Sequence, residues 1–317
     1  VTRVARFRAR GIDRIGILRG DHYVDPTRAM AELLRDRGVW NAQELAAAQV
    51  PNDLIGILAG GVASLDAIAA AVAHAEGLPP ESARAGELIF PIAETTTLVP
   101  IPRPPKIICV ARNYREHAKE AGLPIPEIPI LFPRFANTQL ADEEPIIVPT
   151  VSEQVDWEGE LALVIGTGGR HIAQRDAMSH VAGFTIFNDV SVRDYQFRVT
   201  QYTAGKNFQA SGPIGPAVAL TDEGLDPHAL EITTTVNGVV KQRGNTSEMI
   251  FDIPTLISHI SEFVELEPGD IIPTGTPAGV GFKRTPAEFL RPGDRVEVAI
   301  DGLGVLSNPV EAEVRHD

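Results

Sequence analysis

The chain has almost no cysteine: Cys109 is the single one among 317 residues. One thiol cannot close a disulfide within the chain, which fits a reducing compartment such as the cytoplasm. Its setting, the apolar run KIICV, is that of a buried structural thiol rather than a nucleophile. Positive charge is scarce as well, since 28 Lys and Arg against 42 Asp and Glu leave a net charge of −14. A nucleic-acid partner needs a basic face, so that class is set aside. A small anionic ligand is not, because a metal and a few local cations reverse the field inside one cleft. No apolar run approaches the roughly 20 residues of a membrane span, so no membrane is expected as a partner. The opening VTRVARFRARGIDRIG is basic without an apolar segment, so no secretory leader is expected there. No glycine-rich loop opens a helix after a strand, which removes the case for a nucleotide, and no internal repeat stands out.

What is present supports a core of some size, with 44% hydrophobic residues and a length suited to one large domain and a smaller one. Residues 1–98 read as a small α+β domain. RVARFRA and RIGILRGDHYVD alternate like short strands, and alanine-rich stretches at Ala29–Leu34, Ala42–Ala48 and Leu65–Ala75 read as helices. Pro100, Pro102, Pro104 and Pro105 then mark a linker over 99–105, because proline at that density stops helices and central strands. From 106 to 317 the pattern is strand-rich. Few helices are expected: Tyr114–Ala121, Gln174–His180 and Ile253–Phe263. The mixture predicts a β-rich α+β domain rather than a doubly wound sheet.

VDWEGELALVIG, Val155–Gly166, carries the most chemistry. Read as one strand, it puts Trp157, Leu161, Leu163 and Ile165 on one face and Asp156, Glu158 and Glu160 on the other. Neighbouring carboxylates repel unless a positive charge lies between them, and Asp189 in FNDVSVRD offers a third. Three oxygen ligands without nearby Cys or His suit a hard divalent cation. A strand face that is simply wet also carries Glu at alternate positions, so spacing alone leaves both readings open.

Four further segments bear on the choice. In CVARNYREHAKEAG, Asn113 is placed to cap a short helix on which His117 and Glu120, three apart, share a face; a carboxylate orienting an imidazole makes a general base. In GKNFQASG, Lys206 offers a fixed positive charge to an oxyanion or enolate. In PTGTPAGVG, Pro273–Gly281, Thr274, Gly275 and Thr276 are expected to form a turn whose exposed amides accept a carboxylate, although a loop that merely needs its glycines fits equally. Arg193–Gln196, RDYQ, supplies donors beside Asp189.

CVARNYREHAKE, VDWEGELALVIG, NDVSVRDYQ, GKNF, MIF, LEPGDIIPTGTPAGVG and PGDRVEVAIDGLGVLSNPV, in that order over about residues 105–312, resemble the fumarylacetoacetate hydrolase superfamily. The resemblance implies a β-sandwich-like roll with a few helices, a homodimer, and a Mg²⁺ or Mn²⁺ site, with Ca²⁺ also compatible. Position by position, it implies metal ligation by Glu158, Glu160 and Asp189 and catalytic roles for Lys206 and for a mobile His117–Glu120 dyad. Substrate contacts are implied at Gln196 and Thr276, and expected at Arg112, Gly275 and Tyr202. Ala111, Tyr202, Asn207 and Pro273 depart from the usual pattern, which touches substrate size rather than the ligand set. The activity expected is hydrolysis of a carbon–carbon bond in a small anionic 1,3-diketo acid of the acylpyruvate or fumarylpyruvate type. Decarboxylation of an oxaloacetate-type acid and isomerisation of an unsaturated dicarboxylic keto acid in aromatic catabolism are the alternatives. A non-catalytic, metal-stabilised dimer would be favoured by loss of a ligand or of Lys206, and neither is lost.

Overall fold

The structure is a computed structural model that describes residues 2–314 apart from 121, 123, 222 and 223. Alternating apolar residues place Arg3–Ala9 and Ile12–Arg19 in an antiparallel hairpin, with Val4, Ile15 and Ile17 turned into the core. The three alanine-rich stretches are helical, as Pro26–Asp36, Ala42–Gln49 and Gly61–Gly77. Asp25 caps the first by accepting the Arg28 amide at 2.9 Å, which satisfies one of the donors a helix start leaves free. Two short helices, Leu54–Ala59 and Pro80–Ala85, were not expected.

The hairpin does not stand alone. Arg3–Ala9 pairs antiparallel with Gly212–Leu220, Val4 opposite Val218. Twelve strands therefore form one sheet, running from Ile89–Pro91 through Arg3–Ala9, Gly212–Leu220, Val181–Asn188, Gly159–Ile165, Ile271–Pro273 and Ile107–Ala111 to Ile130–Arg134. The N-terminal helices share a core with Cys109, Ala162, Val164 and Phe187 of that sheet. A second, five-stranded sheet contains Glu231–Val236, Val239–Asn245, Arg295–Ile300, Gly304–Ala312 and Ile146–Val148. This is a mixed, strand-rich α+β architecture.

The Gly159–Ile165 strand lies between two cores, which excludes the wet-face reading, and it departs from the single strand expected over Val155–Gly166. Leu161, Leu163 and Ile165 join one cluster with Phe184, Ile257 and Ile260, while Ala162 and Val164 join the N-terminal one, so neither face is wet. The strand is also interrupted. Val155–Asp156 pairs with Ser191–Val192, and only Gly159–Ile165 pairs with Val181–Asn188. Trp157 falls in the break and packs in a third cluster with Val155, Leu290 and Val296, not beside Leu161. Gly159 sits where the two sheets come closest: a Cβ there would lie 2.3 Å from Thr234 Oγ1 and 3.0 Å from a Val298 methyl. Only glycine lets the strand approach so near.

The three later helices also need adjustment. Gln174–His180 is 3-10 rather than α, with Ser179 Oγ donating to the Asp176 carbonyl at 2.6 Å in competition with the backbone ladder. Ile253–Ser261 is α-helical, capped by Asp252 and ending two residues before Phe263. Arg115–Glu120 is the short helix bearing His117; its expected end, Ala121, lies outside the described residues.

Candidate active site

The register of one antiparallel pair brings three carboxylates together. Gly159 faces Asn188 and Glu160 faces Phe187, while the Asp189 amide donates to the Glu158 carbonyl at 2.8 Å. Glu158 and Glu160 thus flank Gly159 at the start of one strand, beside the end of its neighbour, which Asp189 follows. Oxygens of the three lie within 4.8 Å of one another, and the residues are 6%, 2% and 1% exposed.

Such a cluster survives burial only with compensating charge. Lys206 Nζ lies 2.7 Å from Glu158 Oε2 and 2.5 Å from Asp189 Oδ2. Arg193 holds the other Glu158 oxygen at 2.7 Å and Asp156 Oδ2 at 2.7 Å. Arg134 pairs with Asp189 Oδ1 and donates to the Ser211 carbonyl and hydroxyl at 2.5 and 2.6 Å. Four carboxylates (Asp156, Glu158, Glu160, Asp189) therefore face three cations, and Glu160 is the one with no cationic partner among the described residues. Burial and the nearby Asp189 and Glu158 charges push its pKa well up. Burial acts on Glu158 in the same direction, but Lys206 and Arg193 outweigh it and hold that carboxyl low. Lys206 is the mirror case: burial pulls it down, and the Asp189 and Glu158 charges raise it further, so it stays an ammonium.

Three convergent carboxylate oxygens, one of them on Glu160, which has no cationic partner among the described residues, fit a divalent cation with oxygen ligands, and such an ion would favour the ionised form of Glu160. Gly275 supports this corner. Its φ is 100°, a Cβ would lie 2.9 Å from that of Asn113, and its amide donates to Glu160 Oε2 at 2.9 Å.

The turn around Gly275 does not present free amides as expected. Both threonine hydroxyls donate to backbone carbonyls, Thr274 to Leu161 at 2.8 Å and Thr276 to Gly159 at 2.9 Å. The Gly275, Gly279 and Gly281 amides donate to Glu160, Glu120 and Asp156. The turn accepts anions, but these are the chain's own carboxylates. Asn113 does not cap the Arg115–Glu120 helix either. Its side chain bridges Phe251 and Thr274, accepting the Phe251 amide at 2.8 Å and donating to the Thr274 carbonyl at 2.8 Å.

His117 is buried, with Nδ1 3.5 Å from Glu120 Oε2, beyond hydrogen-bond reach. Glu120 instead accepts the Gly279 amide on both oxygens at 3.1 Å. One pocket is lined by His117, Arg112, Gln196, Tyr202, Lys206, Thr276 and the carboxylate triad. Glu120 and Gly275 do not line it. Gln196 Oε1 accepts from Arg193 at 2.9 Å, and Tyr202 meets Phe132 edge-on at 5.5 Å between ring centres. Arg112 adopts a left-handed φ of 55°, a conformation that costs a non-glycine residue about 1 kcal/mol.

Sequence reasoning missed Arg134, Gln242 and the aromatic wall of Phe132, Phe197 and Phe282. Arg134 had a signal: in PILFPRF it falls two residues after buried Phe132, on the same strand face, where an arginine needs a partner. Gln242, which links Gly159 and Thr276, had none, because its contacts are 83 and 34 residues away.

Comparison with known proteins places this site in context. Residues 106–311 match the family model described as fumarylacetoacetate (FAA) hydrolase, C-terminal. The oxaloacetate tautomerase FAHD2A, mitochondrial, of Homo sapiens is 47% identical over 224 residues, 70% of this chain and 71% of that protein. The oxaloacetate tautomerase YisK of Bacillus subtilis is 43% identical over 231 residues, 71% of this chain and 76% of that protein. Among solved structures, the maleylpyruvate hydrolase of Sphingobium sp. SYK-6 in complex with manganese (II) ion and pyruvate superposes with a TM-score of 0.73 at 28% identity, covering 98% of this chain and all of that one. The fumarylacetoacetate hydrolase of Exiguobacterium antarcticum gives 0.76 at 30% identity, covering 99% of this chain and all of that one. Among the described residues, no helix is long and apolar enough to cross a membrane.

Proposed function

The chain belongs to the fumarylacetoacetate hydrolase family, and from that premise we propose that it is a divalent-metal-dependent enzyme that interconverts the enol and keto forms of oxaloacetate or a close 2-oxo acid. The observation that carries the proposal is the buried Glu158–Glu160–Asp189 triad with Lys206 bonded to two of its members. The relatives named oxaloacetate tautomerase, at 43–47% identity, direct the choice of reaction.

Held by Glu158, Glu160 and Asp189, a Mg²⁺ or Mn²⁺ ion would supply Lewis acidity toward the 2-oxo acid. Lys206, kept protonated by its carboxylates, places a fixed positive charge where an enolate oxygen develops. His117 faces the same pocket and is the group to take a proton from C3 of the keto acid. A proton delivered to the C2 oxygen completes the enol, and the reverse sequence gives the keto form. No bond other than those to hydrogen breaks. Glu120, bound by the Gly279 amide, fixes the helix on which His117 rides.

Hydrolysis of a 1,3-diketo acid is the second reading, favoured by the likeness to solved structures of a maleylpyruvate hydrolase and a fumarylacetoacetate hydrolase. There His117 takes a proton from water, the hydroxide adds to the distal carbonyl, and the C3–C4 bond breaks with its electrons entering the enolate. Protonation at C3 gives a 2-oxo acid and a carboxylic acid.

One experiment separates them. The protein with Mg²⁺ or Mn²⁺ is given oxaloacetate, acetylpyruvate and fumarylpyruvate separately, while enol absorbance, pyruvate, the second acid and CO₂ are followed. Chelator-sensitive loss of the oxaloacetate enol without pyruvate supports tautomerisation. Pyruvate with an equal amount of acid from an acylpyruvate establishes hydrolysis instead, and pyruvate with CO₂ from oxaloacetate establishes decarboxylation.

A further inference from the structure

Resting on the keto-acid reading above, we infer that Arg112 reads a second carboxylate on the substrate and so selects 2-oxo dicarboxylates over 2-oxo acids whose far end is neutral. Three arginine and lysine side chains line the pocket: Arg112, Arg193 and Lys206. Two of them are matched by the chain's own acids, Arg193 by Asp156 and Glu158 and Lys206 by Glu158 and Asp189. Arg112 has no ion pair among the described residues, and its buried Nε has no hydrogen-bond partner. An orphaned Nε occurs also at Arg3, Arg14 and Arg134, but those guanidiniums bond a backbone carbonyl (Arg3) or carboxylates (Arg14 and Arg134) through their other nitrogens. Arg112 does not.

The backbone adds a second, independent sign. Arg112 is held at a φ of 55°, between Ala111, paired with Ile130 in the sheet, and Asn113, fastened to Phe251 and Thr274. The fold accepts strain at this residue and pins both neighbours, with the side chain at the pocket wall. A guanidinium presents a planar fork that a carboxylate meets with two parallel hydrogen bonds. Since the cations of the triad are already shared among its carboxylates, the charge left for a substrate's second anion is that of Arg112. In a chain with a net charge of −14, such a local cation is what distinguishes a dianion from a monoanion.

The test compares oxaloacetate with its 4-methyl ester, which keeps the 2-oxo acid and the enolisable C3 but loses the distal charge. Affinity is measured with Mg²⁺ by titration calorimetry, independently of turnover, for the wild type, Arg112→Met and Arg112→Lys. Methionine keeps the stem and meets the same backbone strain. The wild type is expected to bind the diacid at least about tenfold more tightly than the ester. Arg112→Met should bring that ratio close to one, and Arg112→Lys should keep part of it. A wild-type ratio near one, or a ratio unchanged in Arg112→Met, overturns the inference. If Arg112→Met fails to fold, the wild-type ratio and the Arg112→Lys value still decide. A preserved binding preference without turnover of either compound would sink the tautomerase reading while leaving the role of Arg112 standing.

Discussion

Two buried clusters of charge in this molecule lead to opposite ends. In the N-terminal segment, Arg14 and Asp25 are 5% and 2% exposed and pair at 2.9 Å. Asp25 also caps a helix, and Glu87 is met by Arg10, Arg14 and Arg28. Asp25 and Glu87 each have a cationic partner there, and Arg14 lies over the Phe90 ring. At the Glu158–Glu160–Asp189 cluster, with Asp156 beside it, four acids share three paired cations, and Glu160 is left without a partner among the described residues at the wall of a pocket. Burial of charge is common to both. What distinguishes a site is charge left unbalanced where a ligand has access, since an imbalance of that kind destabilises the fold unless something binds.

That contrast can be broken from either side. Lys206→Met should have the largest effect, lowering turnover on the order of 10³-fold in steady-state kinetics, because the fixed charge beside the enolate is lost. Arg14→Met should leave the affinity for divalent cations intact while lowering stability by about 3 kcal/mol in urea unfolding, because Asp25 is left buried and unpaired. If it weakened the metal instead, the two clusters would not be independent. Gly159→Ala tests the close approach of the sheets beneath the triad, with a loss of about 2 kcal/mol expected from the clash with Thr234. Asp252→Ala should cost about 1 kcal/mol through the lost helix cap, with activity preserved.

A strand's local period of two puts Glu158 and Glu160 on one side, but reading them with Asp189 as a metal-ligating triad comes from the ordered motifs of the family resemblance and not from spacing. What was not legible depended on distant partners. Spacing leaves a wet face open as one of two readings of the carboxylate-bearing strand, and only the fold excludes it, because Ala162 and Val164 are covered by a core that includes residues from Val4 onward. The pairing of Arg3–Ala9 with Gly212–Leu220 has no local signature. Asn113 suits a helix cap by type, but its amide is claimed by Phe251 and Thr274, more than a hundred residues on. The amides of Gly275, Gly279 and Gly281 looked free because the acids they serve, Glu160, Glu120 and Asp156, lie far off in the chain. The motifs put hydrolysis first among reactions, whereas the relatives direct attention to keto–enol exchange. The same pocket residues serve either, so sequence could not rank them.

The most direct test of the unbalanced-charge account is calorimetric titration of Mn²⁺ into the wild type and Glu160→Gln, alongside the melting temperature of each without metal. The glutamine keeps an oxygen for the Gly275 amide and removes only the leftover charge. The account predicts that the wild type binds one Mn²⁺ per chain, that Glu160→Gln loses that binding, and that the metal-free variant melts no lower than the metal-free wild type. Equal Mn²⁺ affinity in the two proteins would contradict it.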